Sequence, residues 1–115
     1  MTVSPSCPAL LIHEDDSFRR ALIVALDQKH FSVTYTDDGA EAVKAIREKT
    51  FKVILLSYDV AEALRYLSDH KTAGVILIAA PNPDLRKYAK VAEETLLKPV
   101  DPGYVAERAS VYCRD

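Results

Sequence analysis

The amino-acid sequence predicts an α/β fold with one doubly wound sheet of five parallel strands in the order 2-1-3-4-5. Short apolar runs alternate with segments of helical periodicity along the whole chain, which is typical of repeated strand–helix units. The third run is continuously apolar over residues 53–56, as expected for a strand covered on both faces. Right-handed crossovers between such units favour this strand order, in which the order reverses between strands one and three.

Each predicted strand is an apolar or β-branched run. The five runs are 10–13, 31–36, 51–56, 75–78 and 95–97. Between and after them, apolar residues recur at helical spacing. The predicted helices are marked by Phe18, Leu22 and Leu26; Ala42, Val43 and Ile46; Val60, Ala63, Leu64 and Leu67; Leu85, Tyr88 and Ala89; and Val105, Ala109 and Tyr112. Residues 37–39 have the composition of a turn and cap before the second helix. Asp84 is predicted to cap the fourth helix, and Asp101 with Pro102 is predicted to open the fifth.

Length and composition fit a single soluble domain. The 115 residues, 49% apolar and 28% charged, suit one domain over 1–115 with its core at about 9–112. The net charge of −2 provides no basic surface for nucleic acid or an anionic membrane. The first residues lack the features of a signal peptide, and no apolar run is long enough to span a bilayer, so we expect a cytoplasmic protein.

The two cysteines, Cys7 and Cys113, lie near opposite ends of the chain. Their spacing matches no metal-binding motif. Because disulfides are rare in the cytosol, we expect both residues to be reduced thiols.

Polar residues follow the first and third predicted strands. Glu14, Asp15 and Asp16 come directly after strand one, and Ser57 follows strand three. In a doubly wound sheet the functional crevice lies at the carboxyl ends of the strands, where the strand order reverses. We therefore expect Glu14, Asp15 and Ser57 to meet there, with Asp16 as a cap or first-turn residue of the first helix.

Four stretches carry a resemblance to a known family through their order and spacing. They are 11–16, 38–42, 53–56 and 97–100. Together they resemble the CheY-like receiver domain of bacterial two-component response regulators, which has a flavodoxin-like fold. In that family an acidic pair holds Mg²⁺ beside an aspartate that takes the phosphoryl group. The resemblance places Glu14 and Asp15 at the acidic pair and Ser57 at the acceptor.

Serine at the acceptor position puts the family's chemistry in doubt. A carboxylate is ionised at neutral pH, but a hydroxyl needs a positioned base to become a nucleophile. His13 is the histidine nearest the site, and its side chain is expected to point away from the crevice. Losing one of three carboxylates also weakens any Mg²⁺ site. We therefore interpret Ser57 as a degenerate phosphoacceptor and expect no cofactor beyond weak Mg²⁺ binding at Glu14 and Asp15.

The family's switch positions are also altered. Ala79 stands where the resemblance implies a hydroxyl, and Thr95 lies near the position of a switch aromatic. The family's lysine is retained as Lys98, which is followed by a proline that a cis peptide usually precedes. With Ser57 in place of aspartate, Lys98 is expected to turn to Asp15 or Glu14. Asp59 is a possible alternative acceptor, although a cap for the third helix is the plainer interpretation of it.

Three functions remain open. The first is a pseudo-receiver, not an enzyme, acting through phosphorylation-independent protein interaction. The second is a receiver phosphorylated at a non-standard residue such as Asp59, and the third is a flavodoxin-like small-ligand binder or enzyme. The resemblance implies that a signalling protein, or a second copy of the chain, docks on the face of helix 4, strand 5 and helix 5. Tyr88 and Tyr104 are preferred anchors there over Tyr112, and neither nucleic acid nor membrane is expected as a partner.

Overall fold

The computed structural model describes residues 6–71, 73–88 and 90–113. The strands are β1 (Cys7–Ile12), β2 (Phe31–Thr36), β3 (Val53–Ser57), β4 (Gly74–Ala79) and β5 (Glu94–Leu97). The α-helices are α1 (Asp16–Gln28), α2 (Gly39–Glu48), α3 (Ala61–Asp69) and α4 (Pro102–Ala109), and two short 3₁₀ helices span Pro83–Tyr88 and Ser110–Cys113. Ala89, predicted in the fourth helix, lies outside the described residues, as do both ends of the predicted domain.

The sheet confirms the predicted fold class. Its order is β2-β1-β3-β4-β5, and all of its strand pairs are parallel. All five residues of β3 are buried, because this strand lies at the centre of the sheet with both faces covered. The reversal of strand order falls between β1 and β3, as the sequence predicted.

Two core clusters cover the two faces of the sheet. Side chains of α1 and α4 pack with alternate residues of β1, such as Ala9 and Leu11, on one face. Side chains of α2 and α3 pack with Leu10 and Ile12 on the other. Because neighbouring strand residues point to opposite faces, residue parity along β1 decides which helices each side chain meets.

Two of the predicted local features are wrong. The fourth predicted helix is the 3₁₀ helix Pro83–Tyr88, and the amide of Asp84 donates to Asn82 Oδ1 at 3.0 Å. The N-cap of α3 is Val60, without a side-chain capping bond, so Asp59 is not its cap. The reason is that α3 begins at Ala61, so that Val60 occupies the cap position and Asp59 lies one residue too early.

The predicted reduced state of the cysteines is also corrected. Cys7 and Cys113 form a disulfide with a Cα–Cα distance of 5.7 Å. β1 begins at Cys7, three positions earlier than the apolar run indicated, and the 3₁₀ helix Ser110–Cys113 returns the chain to the same core cluster. Sequence spacing could not reveal this meeting, since it depends on where both chain ends lie on the folded sheet.

A search of the described residues for helices long and apolar enough to cross a bilayer identifies none.

Candidate functional site

The carboxyl ends of the strands bring Glu14, Ser57 and Lys98 together. Ser57 is the last residue of β3 and is fully buried. Its Oγ accepts from the Asp59 amide at 3.3 Å, and the hydroxyl is one of the groups that lower the pKa of the Glu14 carboxyl. Lys98 follows β5, and its Nζ lies 3.8 Å from Glu14 Oε2. Lys98 thus turns to Glu14, one of the two carboxylates named from the sequence.

Glu14 is held in its ionised form. Partial burial raises the pKa of its carboxyl group, but the Ser57 hydroxyl, its own backbone amide, His13 and Lys98 together lower it below the ordinary value. A carboxylate with a lowered pKa is a weak proton acceptor. Glu14 is therefore poorly suited to act as the general base that a serine nucleophile needs.

Asp15 is used as a helix cap. Its Oδ1 accepts from the Phe18 amide at 3.0 Å at the start of α1, and this bond is the main reason that its pKa is lowered. Asp16 is the acidic first-turn residue, as predicted, and its carboxylate pairs with Arg19 at 2.6 Å and Arg20 at 3.0 Å. Capping explains the acidic cluster without a metal.

The residues present fit a divalent cation poorly. Over 6–71, 73–88 and 90–113, no three His, Cys, Asp or Glu side chains are grouped so that they could hold a metal ion. The family's third ligand position is the neutral Ser57, Asp15 is committed to α1, and the Lys98 ammonium already neutralises Glu14. Such a donor set leaves neither carboxylate without another partner, whereas Mg²⁺ in proteins is commonly held by one or two carboxylates together with other oxygen ligands.

The structure gives His13 a buried position and a hydrogen bond that the sequence did not reveal. It is almost completely buried, with its ring 4.7 Å from that of Phe18, on the α1/α4 side of the sheet. Nδ1 accepts from the Asp15 amide at 3.1 Å, which places the proton of the neutral ring on Nε2. Nε2 has no hydrogen-bond partner, and burial is the main cause that lowers the pKa of the ring.

A cavity of about 390 Å³ opens beside this ring. Its lining comprises His13, Asp15, Phe18, Lys98, Pro99 and Val100. Phe18 and Val100 also pack against the α1/α4 core cluster. Helical spacing marked Phe18 as a core residue, and only the fold shows that it also borders a cavity with Lys98.

The remaining predicted site residues lie around this cluster. Ala79 is buried at the end of β4, and its carbonyl accepts from the Lys98 amide at 2.8 Å. The Lys98–Pro99 peptide is cis. Thr95 is exposed on β5, and Asp59 is exposed in the turn after β3. Only the backbone amide of Asp59 is joined to Ser57, so its carboxylate lies at the margin of the cluster.

Comparison with known proteins supports the same fold. No family model matches the chain. The transcriptional regulatory protein SrrA of Staphylococcus aureus is 24% identical over 113 residues, covering 91% of this chain and 47% of that protein. The chain thus spans about half the length of the curated relatives it matches.

Two solved structures superpose over nearly the whole chain. HP1043, an orphan response regulator of H. pylori, gives a TM-score of 0.81 at 16% identity, covering 97% of this chain and 100% of that one. The receiver domain of the sensor histidine kinase PA1611 from Pseudomonas aeruginosa gives 0.79 at 16% identity, covering 93% and 97%, and holds magnesium in its active-site cleft. The strand order and the positions of Ser57 and Lys98 agree with these superpositions. The chain has the CheY-like receiver fold of response regulators.

Proposed function

We propose that this chain is a pseudo-receiver: a cytoplasmic receiver-like domain of two-component signalling that acts by phosphorylation-independent protein interaction. The observation that carries the proposal is Ser57, a fully buried neutral hydroxyl at the acceptor position, which helps to lower the pKa of the neighbouring Glu14 carboxyl. The domain is then a binding module and not an enzyme.

The surroundings of Ser57 support the absence of phosphoryl transfer. Attack on a phosphorus atom requires removal of the hydroxyl proton, and the neighbouring carboxylate, Glu14, has a lowered pKa. Ala79 offers no hydroxyl to bind a phosphoryl oxygen, and Thr95 replaces the family's aromatic switch. Acceptor, hydroxyl and aromatic side chain are therefore lost together.

Lys98 supports the same conclusion by replacing a metal ion. Its ammonium group lies 3.8 Å from Glu14, one of the two carboxylates that the resemblance assigns to the metal, and supplies a positive charge there. A permanent internal cation leaves the site in one state. Binding of a partner should consequently be independent of both phosphodonor and Mg²⁺, with any Mg²⁺ bound only weakly at Glu14 and Asp15.

The first test is incubation with acetyl phosphate and Mg²⁺, followed by intact-mass spectrometry at low temperature. The expected result is no phosphoryl adduct on the wild-type protein. A stoichiometric, acid-labile adduct would overturn the proposal. The variant Asp59→Asn then identifies the acceptor, because loss of that adduct in the variant would establish the alternative receiver phosphorylated at Asp59.

The proposed docking face consists of the 3₁₀ helix Pro83–Tyr88, β5 and α4. Leu97 and Tyr104 are large apolar side chains on it, exposed by 48% and 49%. Tyr88 is half-buried and contacts the Tyr58 ring at 5.9 Å, so it belongs partly to the core. Tyr112 is held by Glu94, which leaves Tyr104 and Leu97 as the better anchors for a signalling partner or a second copy.

The docking face is tested by substitution. Tyr104→Ala should weaken association with the partner or with itself, measured by analytical ultracentrifugation or pull-down, without a change in melting temperature. Tyr35→Ala, on the opposite edge strand and 58% exposed, is the matched control. Loss of association in the control and not in Tyr104→Ala would move the interface to β2.

A second candidate function is supported by the cavity beside His13. Phe18, Pro99 and Val100 form an apolar wall, and Lys98 lines the same cavity together with His13, whose Nε2 has no hydrogen-bond partner. This lining suits a small carboxylate with an apolar body. Titration with benzoate, followed by the NMR signals of His13 and compared with Lys98→Gln, tests this alternative. Saturable shifts that disappear in the variant would favour ligand binding over a purely protein-binding role.

A further inference from the structure

We propose that Cys7 and Cys113 form a reversible thiol–disulfide site that couples the redox state of the surroundings to the stability of the domain. Cys7 is the first residue of β1, and Cys113 is the last residue of the 3₁₀ helix Ser110–Cys113, named here the C-terminal turn. Their sequence separation is 106, and their Cα atoms lie 5.7 Å apart. Nothing in the phosphoryl chemistry of the fold requires this pair.

The position of Cys7 does not depend on the disulfide. Its amide donates to the His30 carbonyl at 3.2 Å, and it lies opposite Phe31 in the β1–β2 register. The rest of β1 is paired on both sides, with β2 and with β3. Reduction therefore leaves the Cys7 thiol in the same place.

Separate contacts also hold the C-terminal turn. The Tyr112 hydroxyl donates to Glu94 Oε2 at 2.7 Å, and Arg108 Nε donates to Glu94 Oε1 at 2.7 Å. The Tyr112 ring covers Gly74 so closely that a Cβ at Gly74 would lie 2.5 Å from its Cδ1 atom. With both backbones fixed by other contacts, the two thiols stay close in the reduced protein, and the disulfide forms again readily.

The site is also accessible to a reductant. Both cysteines are half-buried at the rim of the α1/α4 core cluster, which contains buried residues from all five strands and both helices without them. A chain with this much core does not need a disulfide to fold. The assignment of the protein to the cytoplasm rests on the proposed function. Disulfides in the cytoplasm are typically transient or redox-sensing.

The reaction is thiol–disulfide exchange with a dithiol. One thiolate of the reductant attacks a sulfur of the Cys7–Cys113 bond, which breaks, and the other cysteine leaves as a thiolate and takes up a proton. The second thiol of the reductant then attacks the mixed disulfide. Two electrons pass to the protein, two cysteine thiols result, and the reductant becomes a disulfide.

Oxidation should stabilise the domain strongly. A bond closing a loop of this length restricts the unfolded chain far more than the folded one, so the oxidised protein should melt about 10 °C or more above the reduced protein. The double variant Cys7→Ser with Cys113→Ser should melt like the reduced protein under both conditions. This variant separates loss of the bond from any direct effect of the reductant.

The experiment equilibrates the whole protein in glutathione redox buffers and counts thiols by alkylation and intact mass. We expect the oxidised and reduced forms to interconvert completely without denaturant. The effective concentration of one thiol at the other should be at least about 100-fold higher in the folded protein than in the protein unfolded in concentrated urea. Tyr112→Phe, which removes the bond to Glu94, should lower that value by about three-fold or more, while Tyr35→Phe leaves it unchanged.

Two results would overturn the proposal. A disulfide that dithiothreitol reduces only after unfolding would be a structural bond, and an effective concentration equal to that in urea would show that the fold does not hold the thiols together. Neither result bears on the pseudo-receiver proposal, which the phosphodonor assay decides separately.

Discussion

The two ends of the same parallel sheet use their charged groups differently. At the carboxyl end, Glu14 has a cationic partner, Lys98, at 3.8 Å. At the amino end, Glu94 begins β5 and accepts two bonds of 2.7 Å, from Arg108 and from Tyr112. The Glu14 carboxylate is therefore loosely held, and the Glu94 carboxylate at the other end is tightly held.

This difference indicates where the domain gains stability. The amino end fastens the C-terminal turn to the sheet through Glu94, the Tyr112 ring and the disulfide, whereas the carboxyl end balances a few partly exposed charges. Burial and Glu94 raise the pKa of Tyr112 to about 12, which is consistent with a close hydrogen bond there. Substitutions at the amino end should thus cost more stability than substitutions at the carboxyl end.

The largest effect is expected for Gly74→Ala. Its Cβ would lie 2.5 Å from Tyr112 Cδ1, and the ring cannot move freely because its hydroxyl is bound to Glu94. We expect a loss of about 1–3 kcal/mol in the free energy of unfolding, measured by urea denaturation. The double variant with Tyr112→Ala removes the clash, so its loss should fall below the sum of the two single losses. Simple additivity would show that the ring does not cover Gly74.

The next effect is the pH dependence carried by Glu94. The hydrogen bond from Arg108, reinforced by that from Tyr112 and opposed by partial burial, lowers the pKa of Glu94 below its ordinary value. A lowered folded-state pKa stabilises the protein above the unfolded-state value, and this stabilisation is lost as the pH falls through the folded-state pKa. Glu94→Gln should therefore cost about 1 kcal/mol at neutral pH and almost nothing at pH 2.

Thermal unfolding from pH 7 to pH 2 measures this effect. Glu48→Gln, at the exposed end of α2, provides a control that should follow the wild-type curve throughout. A constant difference between Glu94→Gln and wild type at every pH would mean that the carboxylate charge contributes nothing.

The sheet could be predicted because its signals are local. The five apolar runs, their alternation with helical spacing and the residues at their ends gave the strand order and the meeting of Glu14 with Ser57. The fourth helix was harder to predict, since Leu85 and Tyr88 are three residues apart, a spacing that fits a 3₁₀ turn as well as an α-helix.

Features that depend on distant parts of the chain were missed. The disulfide requires β1 to reach back to Cys7 and the C-terminal turn to fold over the same face. The buried position of His13 follows from strand parity, which sends it to the α1/α4 side with Phe18. The cap predicted at Asp59 failed because α3 begins at Ala61, which puts Val60 and not Asp59 at the cap position.

A smaller effect is expected at the carboxyl end from Lys98→Gln. Removing the ammonium group should raise the pKa of Glu14, which an NMR titration of the side chain would follow, because one of the contributions that lower it is lost. The change in the free energy of unfolding should stay within a few tenths of a kcal/mol, as for other partly exposed ion pairs. Lys44→Gln, exposed on α2, should leave the Glu14 titration unchanged. A loss above about 1 kcal/mol in the free energy of unfolding of Lys98→Gln would show that substitutions at the carboxyl end of the sheet cost as much stability as those at the amino end.

The smallest effect should come from Mg²⁺ itself. A ligand stabilises a fold only in so far as its concentration exceeds its dissociation constant, and Asp15 is engaged as a cap while Lys98 neutralises Glu14. Millimolar Mg²⁺ should raise the melting temperature of the wild-type protein by less than about 1 °C. The double variant Ser57→Asp with Lys98→Ala adds a carboxylate and removes the competing cation, so the same titration should give a clearly larger, saturable shift. If the wild-type protein already shows that larger shift in melting temperature, the cleft has kept a working metal site, and the carboxyl end of the sheet responds to Mg²⁺.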